Sequence, residues 1–316
     1  MSANLRVIFF GNSQSFFSNR FFLPLLEAPC DLVGVVDVPL AKRQSTNPWT
    51  STSLPSFVGE ARARGTPVFE PFNPNTPDFI GKLAAFTPDL FLTAGYMFLL
   101  KPLLLSIPRI VAVNFHASLL PAYRGKHPVF WALRNGERLA GLTAHVMDAH
   151  FDTGDILYQV RVRTRKRDSV SSLYNRIIEK GVPLVPHLIA DIVQGPLRRI
   201  PQPEAGASYF SSVIDEDFRI DWTLSAESLR RWIQTSPGEC WQMVGNRRVY
   251  FMDAEVIRYP GAAIPGELIH LGRYSATLAT GEDALAVRWV RPEGGDKRSL
   301  SRLCAELGLK VGDVFN

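Results

Sequence analysis

Continuous apolar runs dominate the first half of the chain. Residues 5–10 (Leu-Arg-Val-Ile-Phe-Phe) end at Gly11, and residues 32–36 (Leu-Val-Gly-Val-Val) end at Asp37. Short runs cut off in this way read as strands buried on both faces. A helix over residues 16–26 fits between them, which gives a strand–helix–strand unit and hence a parallel sheet. Residues 67–69, 90–93 and 110–113 continue the strand series, and residues 76–86 supply another helix. Residues 39–55, rich in Ser, Thr, Asn and Pro, read as a long loop. Loops of that length in a compact domain are usually functional or mobile.

The texture changes after residues 200–207, where two prolines and a glycine interrupt the pattern. Beyond them, short runs at 248–251, 276–279 and 285–289 are punctuated by Gly and Pro, which predicts a small β-barrel. Residues 225–233 read as a helix with Thr223 or Ser225 as its cap. The expected fold class is therefore α/β: a Rossmann-like, doubly wound, mostly parallel sheet over residues 1–203. A small, mainly β domain of OB-like barrel type follows over residues 204–316.

Composition agrees with that division. At 316 residues the chain suits two domains, and 46% apolar with 21% charged residues is the profile of a soluble globular protein. The run at residues 5–10 is too short for a leader or a membrane span, so a cytoplasmic location is the default expectation. Three scattered cysteines (Cys30, Cys240, Cys304) suggest neither a disulfide framework nor a zinc site. A net charge of +5 is compatible with an anionic ligand without selecting one. The dense run Arg161, Arg163, Arg165, Lys166 and Arg167 reads as a charged edge strand, with a phosphate-facing patch as the alternative. Only one glycine follows the first strand, in Gly11-Asn-Ser-Gln-Ser-Phe16, so a dinucleotide fingerprint is missing and NAD use is not supported.

The chemistry concentrates in two stretches. The buried run at residues 110–113 delivers Asn114 and His116 at its carboxyl end, and strand alternation points them to the same side. In an open α/β sheet ligands bind at that end. Ser118, Leu119, Leu120 and Pro121 then form a turn-rich loop placed to wall the pocket. Residues 141–157 read as strand, polar loop, strand, and carry Asp148, Asp152, Asp155, His145 and His150. Their spacing matches no strong metal motif, so no metal is expected. Asp152, before Thr153 and Gly154, is also a good turn former.

These stretches together resemble the formyltransferase superfamily. The resemblance rests on N-x-H-x-S-L-L-P-x-Y-R-G from Asn114, then G-x-T-x-H from Gly141, then D-T-G-D-I-L from Asp152. Residues 218–222 (Phe-Arg-Ile-Asp-Trp), 224–229 and 266–269 are similar to the C-terminal domain of the methionyl-tRNA and amino-sugar members, so the likeness covers essentially the whole chain. It implies that Asn114, His116 and Asp152 are catalytic and that 10-formyltetrahydrofolate is the cosubstrate. It also implies a pteridine slot lined by Thr93, Ala94, Gly95 and Tyr96 and by the loop near Asp148, although Tyr96 and Phe98 are equally suited to core packing. The chemistry fits: an amide at Asn114 and a protonated His116 can stabilise the oxyanion of formyl transfer, and Asp152 can tune His116 or relay a proton through water.

The acceptor is read from departures within the family. Methionyl-tRNA members usually carry G-T-P-x-F-A and R-G-A-A-P-I-Q, where this chain has Gly11-Asn-Ser-Gln-Ser-Phe16 and Arg124-Gly-Lys-His-Pro-Val-Phe130. The loop after the second strand holds only Lys42 and Arg43 as basic residues. The expected acceptor is therefore a small-molecule amine, such as a nucleotide-linked amino sugar, in an enzyme that can form a homodimer and does not engage a membrane. A true methionyl-tRNA formyltransferase and a formyltetrahydrofolate hydrolase are the alternatives.

Overall fold

The apolar runs of the first half become parallel strands of one sheet. The computed structural model describes residues 4–42 and 55–315; Arg43 and most of the 39–55 loop lie outside the described residues. In chain order come β1 (Leu5–Gly11), α1 (Phe16–Phe22), β2 (Cys30–Val36), α2 (Phe57–Ala63), β3 (Val68–Phe69), α3 (Pro77–Ala84), β4 (Leu90–Ala94), α4 (Pro102–Leu105) and β5 (Val111–His116). They are followed by β6 (Arg124–Gly125), α5 (Pro128–Arg134), β7 (Leu139–Val146), β8 (Ile156–Arg163), α6 (Val170–Gly181), α7 (Leu184–Gln194) and β9 (Tyr209–Phe210). The sheet runs β3-β2-β1-β4-β5-β7-β8, parallel as far as β5 and antiparallel beyond it. Strand order reverses between β1 and β4, which is where a doubly wound sheet opens a ligand crevice.

β1 shows why its sequence is apolar throughout. Phe9 meets Phe22 of α1 and Phe57 of α2 on one face, with ring centroids 5.2 Å apart in each pair. Phe10 turns to the opposite face, 4.9 Å from Phe91, in a cluster with Phe79 and Leu83 of α3 and Leu104 of α4. Helices thus cover both faces, and each fully buried ring contributes about 1.5–3 kcal/mol relative to exposure. The helix expected over residues 16–26 is shorter. Pro24 has no N–H to continue the ladder, and Leu23–Leu26 tighten into a 3-10 turn.

β5 runs further than expected, to His116 rather than Val113, because β7 pairs with its end in antiparallel register (Asn114 opposite His145, His116 opposite Thr143). β8 forms the sheet's edge and exposes Arg161 and Arg163.

The C-terminal region contains α8 (Ala226–Thr235), β10 (Trp241–Val244), β11 (Arg247–Phe251), β12 (Glu255–Ile257), β13 (Leu268–Leu271), β14 (Ala276–Ala279), β15 (Ala284–Val287), β16 (Trp289–Pro292), β17 (Arg298–Ser299) and α9 (Leu300–Leu307). Its strands form two four-stranded antiparallel sheets, β10-β11-β16-β17 and β12-β15-β14-β13. Phe251, Leu278, Leu285 and Val290 from both sheets share one core with Leu229 and Ile233 of α8. Ser225 caps α8 by accepting from Ser228 N. The apolar run at residues 285–289 divides into two strands at Arg288, because the N–H groups of Arg288 and Trp289 turn to the Asp253 carboxylate (3.1 and 2.8 Å).

Two compact units result: Met1–Val129 with Leu139–Arg163 and Ser171–Ser211, and Phe130–Arg138 with Thr164–Val170 and Ser212–Asn316. The second unit takes in residues 130–138 through contacts such as Phe130 edge-on to Phe218 (5.6 Å) and Arg134 over the Trp232 ring (3.4 Å). Among the described residues no helix is long and apolar enough to cross a membrane.

Candidate active site

The end of β5, the end of β7 and the loop of residues 147–155 bring four polar side chains of the first unit together. Asn114 and His116 sit two residues apart on β5, and His145 lies opposite Asn114 on β7. Asn114 Nδ2 is 3.1 Å from His145 Nε2 and donates to Asp152 Oδ1 at 3.3 Å. His145 Nδ1 lies 2.8 Å from Val146 O, which can only accept, so Nδ1 carries a proton, while Nε2 faces both Asn114 Nδ2 and, at 3.4 Å, Asp152 Oδ1. His116 Nε2 is fixed the same way, 2.8 Å from Tyr123 O, and its Nδ1 faces Asp152 Oδ1 at 3.5 Å. A second proton on that ring turns the contact with Asp152 into an ion pair.

Asp152 reaches this cluster from an uncommon backbone state. Its φ is 59°, in the left-handed region, and the glycine two residues on leaves no room for a side chain: a Cβ on Gly154 would lie 2.0 Å from Val146 O. The second carboxylate oxygen accepts from Gly125 N at 2.9 Å. Burial pushes the Asp152 carboxyl up, but the His116 and His145 imidazoles and the Gly125 N–H together outweigh it. The group is held well below the usual carboxylate range.

The residues expected to line a folate slot divide by environment. Thr93 and Ala94 lie in β4, opposite Asn114 and Phe115 of β5, so they share the sheet end with the cluster. Gly95 has φ +71°, and a Cβ there would lie 2.9 Å from Ser18 Oγ, the hydroxyl that donates to Ala94 O at 2.6 Å. Tyr96 turns toward the core, its ring against Phe10 and Phe98 (5.4 and 5.5 Å), and its buried hydroxyl has no hydrogen-bond partner among the described residues. Burial, with Asp37 nearby, raises the Tyr96 phenol.

The loop after β5 is held by a bond within it and by bonds from β7 and β8. Ser118 Oγ donates to Ala122 O (2.8 Å), Thr143 Oγ1 donates to Ser118 O (2.7 Å), and Gln159 Nε2 donates to Leu120 O (2.8 Å). Ser118 and Leu120 are buried, Leu119 and Pro121 half-buried. Asp148 organises its own loop: Oδ1 accepts from His150 N (3.0 Å) and Thr153 Oγ1 (2.6 Å). Among the described residues no group of three or more His, Cys, Asp or Glu side chains is arranged to hold a metal ion. A cavity of about 500 Å³ lies in the second unit, lined by Arg134, Trp222, Trp232 and Gln242 among others, and it includes none of the residues above.

His145 is the member of the cluster that sequence reasoning does not assign. Its signal is present in G-x-T-x-H, but its place opposite Asn114 depends on the register of β5 with β7.

The formyl transferase family matches residues 27–189, and the formyl transferase C-terminal domain matches residues 213–307. The chain is 30% identical over 322 residues to a methionyl-tRNA formyltransferase of Synechococcus sp. (strain JA-3-3Ab), covering 98% of each. It is 32% identical over 313 residues to that of Desulfotalea psychrophila, covering 98% of this chain and 94% of the other. Among solved structures, WlaRD, a sugar 3N-formyl transferase crystallised in the presence of dTDP and 5-N-formyl-THF, is similar with a TM-score of 0.64 at 15% identity, covering 95% of this chain and 99% of that one. HypX from Aquifex aeolicus in complex with tetrahydrofolic acid gives 0.58 at 19% identity over 98% of this chain; the chain spans about half of HypX, 49% of its length. These structural likenesses show the shared fold. With both domain families matched in order and full-length relatives at this identity, the chain belongs to the formyl transferase family of folate-dependent enzymes.

Proposed function

We propose that the chain transfers the formyl group of 10-formyltetrahydrofolate to the primary amine of a small molecule in the cytoplasm, with Asn114, His116 and Asp152 as its catalytic residues. The observation that carries this reading is the convergence of an amide and an imidazole on one buried carboxylate: Asn114 Nδ2 and His116 Nδ1 lie 3.3 and 3.5 Å from Asp152 Oδ1. The first unit, which extends past residue 203 to Ser211, is the catalytic domain in this reading, and the second unit is the appended one.

The neutral amine attacks the formyl carbon. A new C–N bond forms, the formyl oxygen takes up negative charge, and the bond to the folate nitrogen then breaks. The amine loses a proton and the folate nitrogen gains one. Asn114 donates to the oxyanion; its longer bond, to Asp152, is the one that yields when the formyl oxygen arrives. His116, doubly protonated beside Asp152, adds positive charge and exchanges protons through water. Proximity suffices for direct transfer, so no covalent enzyme intermediate is needed. Thr93, Ala94 and Gly95 supply the slot for the pteridine, together with the loops at Ser118, Leu119, Leu120, Pro121 and Asp148. Tyr96 contributes to the slot through its backbone.

A small acceptor, such as a nucleotide-linked amino sugar, is favoured by the polar loop after β1. Asn12 is fully buried there, and Asp37 accepts from Ser13 N and Val38 N, both at 2.8 Å. A tRNA acceptor is the second reading, favoured by end-to-end similarity to curated methionyl-tRNA formyltransferases. A mass-spectrometric screen tests the choice. Purified protein is incubated with 10-formyltetrahydrofolate and nucleotide-linked amino sugars, other amines or charged methionyl-tRNA. A formyl mass gain on a small amine is the expected result. Gain on tRNA alone moves the assignment to the second reading, and formate release with water alone removes the transferase reading.

A further inference from the structure

Residues 200–210 look like a linker in sequence, yet they bond throughout to the first unit. Ile200 pairs with Ile156 through both backbone bonds, 2.8 and 3.0 Å. Gln202 Nε2 donates to Asp152 O (2.9 Å) and Gly154 O (2.8 Å), while its Oε1 accepts from Arg124 Nε (3.2 Å) and Nη2 (3.0 Å). The amide's two hydrogens and two lone pairs are all used, and its partners fix which end is which: two carbonyls can only accept, and a guanidinium can only donate. Further along, β9 pairs with β6, whose Gly125 N–H binds the Asp152 carboxylate. Ser208 Oγ accepts from Tyr123 N (2.9 Å), and Phe210 stacks on the Tyr123 ring at 5.1 Å. Tyr123 O in turn holds His116.

A left-handed non-glycine residue persists only where its surroundings over-determine it. β5 needs no such help, since the ladder places Asn114 and His116. Asp152 has no ladder, and the donors that hold its backbone carbonyl and that of Gly154 come from Gln202. We infer that Gln202 is a positioning residue for formyl transfer, its amide pinning the Asp152 and Gly154 carbonyls so that the Asp152 carboxylate stays aimed at Asn114 and His116. The inference rests on the catalytic reading of that trio.

Two variants separate positioning from packing. Gln202→Ala removes the side chain; Gln202→Glu keeps its volume and its pairing with Arg124 but replaces the donor with an oxygen facing two carbonyls. Both are expected to lose about 10- to 100-fold in kcat, with KM for 10-formyltetrahydrofolate within about threefold, because a small misplacement of a catalytic group costs rate rather than affinity. Hydrogen exchange on the same proteins, with no substrate, is expected to quicken about tenfold or more in residues 121–126 and 147–157, while global unfolding stays unchanged. Full-rate turnover by Gln202→Glu overturns the inference, as does a loss carried by KM. A fall in the global unfolding midpoint assigns Gln202 to the scaffold and overturns it too. Failure of the wild-type protein to formylate any amine counts against the catalytic reading instead, and the exchange data still report on Gln202.

Discussion

Two regions deliver the same cluster by different means. β5 carries Asn114 and His116 inside a sheet ladder, where alternation alone puts both on one side. The loop of residues 147–155 carries Asp152 in a left-handed backbone state, steered by Gly154 and by hydrogen bonds from Gly125 and Gln202. A strand-borne residue is positioned by the same bonds that hold the fold together. A loop-borne residue depends on local contacts that can fail while the fold survives. Damage to the strand side should therefore appear in chemistry or in global stability, and damage to the loop backbone mainly in chemistry, the Asp152 carboxylate itself being the one loop group that also stabilises the fold.

The largest expected effect is at Asn114. Asn114→Ala removes a preorganised donor, and kcat should fall about 10²- to 10³-fold with folate affinity within a few-fold of wild type, measured by single-turnover kinetics and equilibrium binding. A loss confined to KM would show that Asn114 serves binding instead.

Paired glycine substitutions sharpen the contrast. A Cβ on Gly154 meets Val146 O at 2.0 Å in the loop, and one on Gly141 meets Val160 O at 2.1 Å within the sheet. Gly154→Ala should cost about 100-fold in kcat with little change in unfolding midpoint. Gly141→Ala should cost about 2–4 kcal/mol in denaturant unfolding. Equal stability losses in the two variants would erase the distinction between strand and loop.

Acid stability gives a smaller effect with a definite sign. The folded Asp152 carboxyl is held below its unfolded value, near 3.9 for a free aspartate. Its contribution is thus present above about pH 4 and lost as pH falls through the folded value. Asp152→Asn should therefore narrow the gap in stability between pH 6 and pH 3, read from urea unfolding at each. Identical pH dependence in variant and wild type would show that Asp152 is not held by its neighbours.

The smallest effect is at Tyr96, whose buried hydroxyl has no hydrogen-bond partner among the described residues. Tyr96→Phe should leave stability within about 1 kcal/mol of wild type, or raise it slightly, and leave KM for the folate unchanged. A marked rise in KM would place the hydroxyl on the ligand.

The same contrast explains how much could be read from the sequence. Asn114 and His116 were legible because period-two alternation and the end of an apolar run need no tertiary information. Asp152 was legible only through its D-T-G setting, and nothing local distinguishes it there from an ordinary turn former. His145 and Gln202 were not legible as members of the site. Their roles depend on which residue faces them across an antiparallel pair, or across a separation of 50 residues between Gln202 and Asp152. Gln202 sits between two prolines, which locally signal a boundary. Likewise the break at Arg288 depends on Asp253, 35 residues earlier in the chain.

Whether the strand pair and the loop carboxylate act as one catalytic unit is tested most directly by a double-mutant cycle. Single-turnover transfer to the amine found by the acceptor screen is compared for wild type, Asn114→Ala, Asp152→Asn and the double variant. Residues that act as a unit lose most of their effect with the first substitution, so the double variant should be about as slow as the slower single one. Losses that multiply would mean that Asn114 and Asp152 act independently and that their meeting at 3.3 Å has no catalytic meaning.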